Sequence, residues 1–368
     1  MLAHLETDRA FIAEKEAQIL NLEAQILVLR QRITDIRAAQ KPAQERLDSY
    51  RYPVLSLPIE IVSGIFLRLI PPYPQPLPAF GIRSPTTLTH VCRQWRDIAL
   101  ATRRLWRAVW IEGEKYDGSL KTEWRALATL WAERSGTLPL SIYVDSADPT
   151  MAFPTSRDRL EHLRIHLRWS QGQRITVDSL PVLQSLELTT NAHSPASFTL
   201  QAAPLLRTVS LVAIPLRCVA VPWAQLTTLK VTRVATVDRD QILRCTSSLV
   251  HCEIVLSDPQ GHAPPGLTSG EIRLLHLKSL FIVSRGWFPT GEQFLQFLPN
   301  LIVPALCRFE VPEPFLGLYP IESLQAFMSH SMCQLTELRV TSATLPEASY
   351  HAQFPSIPLI KVDAGRTR

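Results

Sequence analysis

The side chains best equipped for chemistry are few, and their spacing works against it. Cys245, His251 and Cys252 bring thiol and imidazole donors into one stretch, but they form no C-x-x-C pair and lack the spacing of a zinc site. A buried thiol and a surface imidazole are the expected roles. The run "GLTSG" at 266–270 imitates a nucleophile elbow, yet its centre is Thr268 rather than Ser. No strand–turn–helix context supports it. Neither a P-loop nor a G-x-G-x-x-G fingerprint occurs. The arginines of "RRLWR" (103–107), with Arg157, Arg159, Arg164, Arg168 and Arg174, could meet phosphate. Acidic residues are interleaved throughout, which predicts a solvated face and no nucleic-acid partner. The chain is therefore expected to be non-catalytic, with no metal and no cofactor, and to work by binding.

Composition is consistent with that role. The 368 residues are 46% hydrophobic and 19% charged, a globular balance. With 38 basic and 33 acidic side chains the net charge is +5, a mildly basic surface rather than a nucleic-acid arm. Proline (29) far exceeds glycine (13), so turns are more often shaped by Pro. The six cysteines, at 92, 218, 245, 252, 307 and 333, contain no C-x-x-C pair. A chain this long does not need covalent staples, so reduced thiols are expected. No signal-peptide pattern opens the sequence, and no apolar run approaches the ~18 residues of a membrane span. These features predict a cytoplasmic or nuclear protein without a membrane partner.

The N-terminal region reads as a long helix over 8–40. Ile12, Ile19, Leu22, Ile26, Leu29, Ile33 and Ile36 form a heptad seam, with Ile at a and Leu or Ile at d. Asp8 and Lys15 fall on earlier d positions, so the seam is convincing from Ile19 onward. Ile at a with Leu at d predicts a parallel dimer, although Arg32 and Arg37 are like charges at g and e. Leu20, Leu27 and Val28 widen the apolar face, which leaves packing onto the same chain as the alternative. Self-association would run through 19–36, and Pro42 is expected to end the helix.

A second helix is predicted over Leu57–Ile70, with Pro58 in its first turn. Its apolar residues sweep far more than the ~100° stripe that one core requires. Gly64 in its interior costs about 1 kcal/mol relative to Ala, so tertiary packing must hold it. Pro71-Pro72 stops it, and "PPYPQPLPAFGIRSP" is too Pro-rich for a helix or central strand. From Ser84-Pro85 a further helix is expected, with Leu88, Val91, Cys92, Trp95, Ile98 and Ala99 on its buried face. The aromatic-rich "RRLWRAVWI" follows. Another amphipathic helix spans Glu123–Arg134 and stops at Ser135-Gly136.

Beyond Leu138 an L-x-x-L-x-L pattern recurs, with other apolar residues substituting. Its middle positions are Leu163, Leu186, Val209, Leu229, Cys252, Leu280, Phe309 and Leu338, separated by 23, 23, 20, 23, 28, 29 and 29 residues. A leucine-rich repeat has a period of about 20–29. Each unit supplies one short strand and cannot hide its apolar edge alone, so stacking into a parallel sheet is predicted. Only one copy carries the repeat's Asn, at Asn191, which predicts uneven curvature. Glu187, Lys230, Glu253, Phe281, Glu310 and Arg339 would line the concave sheet face as the target-binding residues.

"SLPIEIVSGIFLRLI" and "LTHVCRQWRDIALATRRLWRAVWI" together resemble the F-box. The resemblance rests on Leu57-Pro58, Glu60, Ile65-Phe66, Leu69, Val91-Cys92, Trp95, Ile98 and Leu105-Trp106, in the expected order. The loop from Pro71 to Ser84 is longer than usual, and Arg103 stands where Pro often precedes the L-W ending. The resemblance implies a three-helix module that binds the Skp-type adaptor of an SCF ubiquitin ligase, and through it a cullin. It assigns Leu57, Pro58, Ile61 and Ile65 to the adaptor, with Val91, Trp95 and Trp106 divided between interface and core; as single apolar residues, Phe66, Leu69 and Ile98 are expected in the core. The expected fold class is α+β and multidomain: a coiled-coil helix (1–52), the F-box (53–112), a linker helix (113–135) and a leucine-rich-repeat-like α/β solenoid (136–368). The expected function is that of a substrate receptor for an unidentified protein target. The alternative is a scaffold outside any ligase, dimerising through the N-terminal helix.

Overall fold

The computed structural model describes residues 2–49, 53–112, 121–146, 157–167, 174–190, 197–215, 218–233, 236–256, 270–284 and 297–364. Asn191, Thr268 and Arg168 lie outside them. The fold is mixed α/β, with a long N-terminal helix and a large parallel sheet. By packing, the chain divides into two units, Met1–Val62 and Ser63–Arg368.

The first unit is dominated by α1, Leu2–Ser49. The sequence places its end at Pro42, but the helix runs past it. Pro42 removes one backbone donor, a local cost of ~3 kcal/mol. Ala38, Ala39, Ala43, Gln44, Glu45 and Arg46 are all good helix formers and carry the ladder across it. A 3-10 turn at Pro53–Ser56 follows. The next helix, α2, spans Ile59–Leu69. It starts one residue after Pro58, whose carbonyl accepts from the amides of Ile61 and Val62 at 3.1 Å.

The second unit is organised by a twelve-stranded sheet. Its strands, in order of pairing, are β1 (Leu77–Pro78), β2 (Ala108–Glu112), β3 (Leu140–Ser146), β4 (Leu160–Leu167), β6 (Ser185–Thr190), β8 (Thr208–Val212), β10 (Thr228–Thr232), β11 (His251–Leu256), β13 (Ser279–Ser284), β15 (Arg308–Pro312), β16 (Glu337–Ala343) and β17 (Leu359–Ala364). Every adjacent pair is parallel. The middle residues of the L-x-x-L-x-L units pair directly with one another: Leu163 with Leu186, Leu186 with Val209, Val209 with Leu229, and so on to Phe309 with Leu338. All of these middle residues are buried.

Between these strands the chain forms smaller sheets: β5 (Arg174–Ser179), β7 (Ser197–Ala202) and β9 (Val219–Ala220) in one, and β12 (Ile272–Arg273) with β14 (Leu301–Ile302) in another. They bury Ile175, Val177, Phe198, Leu200, Ile272 and Leu301. Among the described residues, three helices occupy later connections: α5 (Thr236–Cys245), α6 (Pro320–Ser331) and α7 (Glu347–Gln353).

The sheet is wider than the eight repeats. Three flanking strands carry the same pattern in altered form, as Trp106-Val109-Ile111, Leu140-Ile142-Val144 with a register irregularity after Leu140, and Ile357-Ile360-Val362. The Pro-rich loop supplies the edge strand β1, where the missing proline donor leaves no gap in a ladder. Tyr73 and Ser141 fasten that loop: the Tyr73 hydroxyl donates to Glu161 Oε2 at 2.7 Å, and the Ser141 hydroxyl to the Pro74 carbonyl at 2.7 Å.

The helix expected from Ser84 is broken. Pro85–His90 is a 3-10 turn, and α3 occupies Arg93–Ala101. Threonine hydroxyls account for the break. Thr87 Oγ1 donates to the Ser84 carbonyl and Thr89 Oγ1 to the Thr86 carbonyl, both at 2.6 Å, competing with helical backbone bonds. Cys92 then starts α3 in extended conformation, its sulfur accepting from the Trp95 amide. "RRLW" (103–106) is also a single 3-10 turn. The linker helix α4 runs Lys121–Arg134, and Gly136 follows at φ +63°.

Near the C-terminal end Glu313 is 4% exposed. Its carboxylate accepts from the Thr344 amide (2.8 Å), the Leu345 amide (3.2 Å), the Tyr350 hydroxyl (2.7 Å) and the Thr344 hydroxyl. Burial raises this carboxyl, but the bonds from Thr344, Tyr350 and Leu345 outweigh burial and hold it below its ordinary value. Stability from its charge is therefore full above the unfolded value of ~4.5 and is lost as pH falls through the lower folded one. Glu313→Ala should cost about 3 kcal/mol in urea unfolding at pH 7, because it strands buried donors. The gap between wild type and Glu313→Gln should narrow as pH drops below ~4.5; a constant gap would show that the charge is not what stabilises this junction.

Candidate functional site

Two surfaces carry the residues singled out by the sequence. The first set lies along α2 and, within the second unit, at the start of α3. Within the first unit, Leu57 is half-buried, Pro58 is exposed and Ile61 is 52% exposed. Within the second unit, Ile65 is 43% exposed and Val91 60%. Phe66 and Ile98 are buried, as the sequence expects of core residues, whereas Leu69 is exposed and is not core. Val91 also departs from the buried face expected of it. The 3-10 turn before α3 breaks the helical phase that would have turned it inward.

Trp95 is half-buried, its ring edge-on to Phe66 with centroids 5.0 Å apart. Trp106 corrects the adaptor-binding set: it is 0% exposed and belongs to the core. Its indole N–H donates to the Ala99 carbonyl at 2.8 Å. Trp131 meets it edge-on at 5.1 Å, and the Arg134 guanidinium lies 4.4 Å from its ring. The physical reason is register. Trp106 opens the strand unit Trp106-Val109-Ile111, the place filled by buried leucines such as Leu160 and Leu183 in later units. Arg103 has a packing role: its side chain crosses Gly136, where an added Cβ would lie 2.9 Å from Arg103 Cδ.

The second surface is the open face of the large sheet. Register places Trp110, Tyr143, Arg164, Glu187, Ser210, Lys230, Glu253, Phe281, Glu310 and Arg339 in one continuous file. All six expected target-binding residues lie on it. Most of its charges are already paired. Arg164 lies 2.7 Å from Glu187, and Lys230 lies 2.7 Å from Glu253. Arg339 lies 3.8 Å from Glu310 and 2.8 Å from Asp363. Such half-exposed pairs contribute only ~0–1 kcal/mol each. Burial raises the Glu310 carboxyl despite the opposing pull of Arg339. Trp110 stacks on Tyr143 at 5.3 Å, and Arg164 covers the same Tyr ring at 5.3 Å.

Several polar groups have no sequence signature. The Arg107 guanidinium lies 3.6 Å over the Tyr73 ring, beside Glu161 and His162. Burial lowers the His162 pKa. His166 Nδ1 lies 3.4 Å from Asp145, and its Nε2 has no partner among the described residues. Arg239 pairs with Asp240 at 2.7 Å inside the fold, its guanidinium 4.1 Å from the Phe297 ring. Cys252 is fully buried, and burial pushes its thiol up to about 12, whereas Cys245 is exposed. Among the described residues no cluster of three or more His, Cys, Asp and Glu side chains is placed to hold a metal ion, and no helix is long and apolar enough to cross a membrane.

No protein-family model and no curated protein matches this chain.

The exposure pattern separates surface from core by measurement. Trp106→Ala should lower stability by ~3–5 kcal/mol in urea unfolding. Ile65→Asp and Val91→Asp should stay within about 0.5 kcal/mol of wild type. A large loss from either aspartate would place that position in the core.

Proposed function

We propose that this chain is an F-box-type receptor that recruits a Skp-type adaptor, and through it a cullin, while its sheet domain holds a protein target. The observation that carries the reading is apolar side chains left in solvent at motif positions. Ile61, Ile65, Leu69 and Val91 remain exposed within a sequence that resembles the F-box at Leu57-Pro58, Glu60, Val91-Cys92 and Trp95. Covering each would gain on the order of 1–2 kcal/mol. Within the second unit, a partner that hides Ile65, Leu69 and Val91 has a sizeable driving force. The adaptor set in this reading is Leu57, Pro58, Ile61, Ile65, Val91 and the open part of Trp95. Trp106 supports α3 from beneath.

The same proposal reads the sheet domain as a leucine-rich-repeat-like solenoid. Strands pairing in chain order, with each repeat's middle residue beside the next, support it. The file from Glu187 to Arg339 would meet the target, with Phe281 between Glu253 and Glu310 as an apolar anchor among charges. The protein would perform no reaction of its own. It would act by holding target and ligase components at high effective concentration.

A second reading, a scaffold assembled through α1 outside any ligase, is favoured by the exposed heptad seam of that helix. The two readings separate in one experiment. The purified full-length chain should bind a purified Skp-type adaptor in calorimetry. Leu57→Asp combined with Ile61→Asp should weaken binding at least ~100-fold, the loss expected when a buried anchor is replaced by a charge. Absence of binding by the folded wild type, or binding indifferent to the double substitution, would leave the scaffold reading.

A further inference from the structure

The seam on α1 has an orientation written into its flanking charges. Ile12, Ile19, Leu22, Ile26, Leu29, Ile33 and Ile36 are each between 47% and 57% exposed, so among the described residues nothing covers them. In the heptad that these residues set, the e positions are Glu16, Glu23, Arg30 and Arg37. Along the seam from Ile12 to Ile36 these positions are acidic first and basic after; the flanking e positions are Arg9 and Gln44, which would face each other in an antiparallel pair. Among the described residues none of these four side chains makes an ion pair.

Charge order decides between the two ways of pairing identical helices. In a parallel dimer each g residue faces the e residue five positions on in the other chain. That places Gln18 against Glu23, Gln25 against Arg30 and Arg32 against Arg37. No opposite charges meet, and one pair repels. In an antiparallel dimer a faces d, which sets Ile19 against Ile36, Leu22 against Ile33 and Ile26 against Leu29. Every one of these core layers is aliphatic. The e positions then face each other, with Glu23 against Arg30 and Glu16 against Arg37. The two-fold axis repeats both pairs. At g, Gln25 faces Arg32, so the Arg32–Arg37 clash disappears. The rule that Ile at a and Leu at d favours two strands sorts oligomer number among parallel coils and does not set direction. Opposed helix dipoles also favour the antiparallel form.

We infer that α1 is a self-association element in which two copies of this chain pair as an antiparallel coiled coil centred between Ile26 and Leu29. The inference does not rest on the adaptor reading and stands if that reading fails. It implies that the two copies enter the coil from opposite ends, so whatever follows each α1 is held apart from its counterpart instead of beside it.

The test uses the full-length chain and light scattering for mass. Wild type should be a dimer at micromolar concentration. Arg30→Glu with Arg37→Glu makes all four e positions of the seam acidic and should weaken the dimer at least tenfold. Glu16→Lys with Glu23→Lys makes the same four basic and should do the same. An equimolar mixture of the two variants restores as many opposite-charge pairs as wild type has, so it should recover a dimer about as tight as wild type, and raised salt should weaken that recovery. All four positions are exposed, and an unchanged urea midpoint of the sheet domain will show that folding is intact. A wild type that stays monomeric at 100-fold higher concentration overturns the proposal. So does an Arg30→Glu, Arg37→Glu variant that dimerises more tightly than wild type, since in a parallel coil the change at position 37 turns repulsion from Arg32 into attraction.

Discussion

The second unit depends on lateral pairing between parallel strands. Among the described residues no strand in it hides its apolar edge by itself. Leu186 is covered because Leu163 and Val209 lie beside it in register, and each of those is covered in turn by its own neighbour. The requirement passes along the sheet until it reaches an edge, and edges are where such a fold is exposed to unwanted pairing. At one edge β1 is short and ends in Pro78, which cannot donate to a further strand. At the other, β17 carries Lys361 and Asp363, charges that oppose addition of another apolar strand.

The same requirement explains the helices near the front. Trp106 belongs to the sheet's pattern and to the support of α3 at once, since its indole bonds Ala99 while its ring meets Trp131. Phe66 and Trp95 meet within the second unit. Once Trp106, Phe66 and Ile98 are inside, that core is closed, and Ile65, Leu69 and Val91 are left in solvent. The surplus is the physical basis of the proposed partner: the surface is apolar because the fold has no further use for it. The sheet face differs in kind. Its charges mostly satisfy one another, so a target would have to displace or share ion pairs such as Lys230–Glu253.

Much of this was legible in the sequence, and the limits are physical. The eight central strands announce themselves because three apolar positions recur at fixed spacing. The flanking strands do not, because Trp106 and Ile357 take the place of the first leucine and in β3 Leu140 fills it one position out of step, and Trp106 also serves the L-W ending that draws it to a different assignment. The break before α3 turns on side-chain hydroxyls bonding local carbonyls, a competition that apolar periodicity does not register. The extension of α1 past Pro42 reflects strong helix formers on both sides of a single lost donor. For the candidate site, the stripe on α2 is visible from spacing, but the division between core and surface is not, because it depends on which residues the rest of the fold reaches. Tyr73 and Glu161 are 88 positions apart, and Glu313 and Tyr350 are 37 apart; no local pattern joins such pairs.

The central claim is the proposal that the apolar residues left open on α2 and just before α3 serve to bind a second polypeptide. Hydrogen–deuterium exchange of the full-length chain, alone and with excess Skp-type adaptor, tests it most directly. The account predicts slowed exchange confined to residues 57–69 and 91–101, with the strands from Leu160 to Ala343 unchanged. Protection that appears on the sheet instead, or no protection anywhere at saturating adaptor, would contradict it.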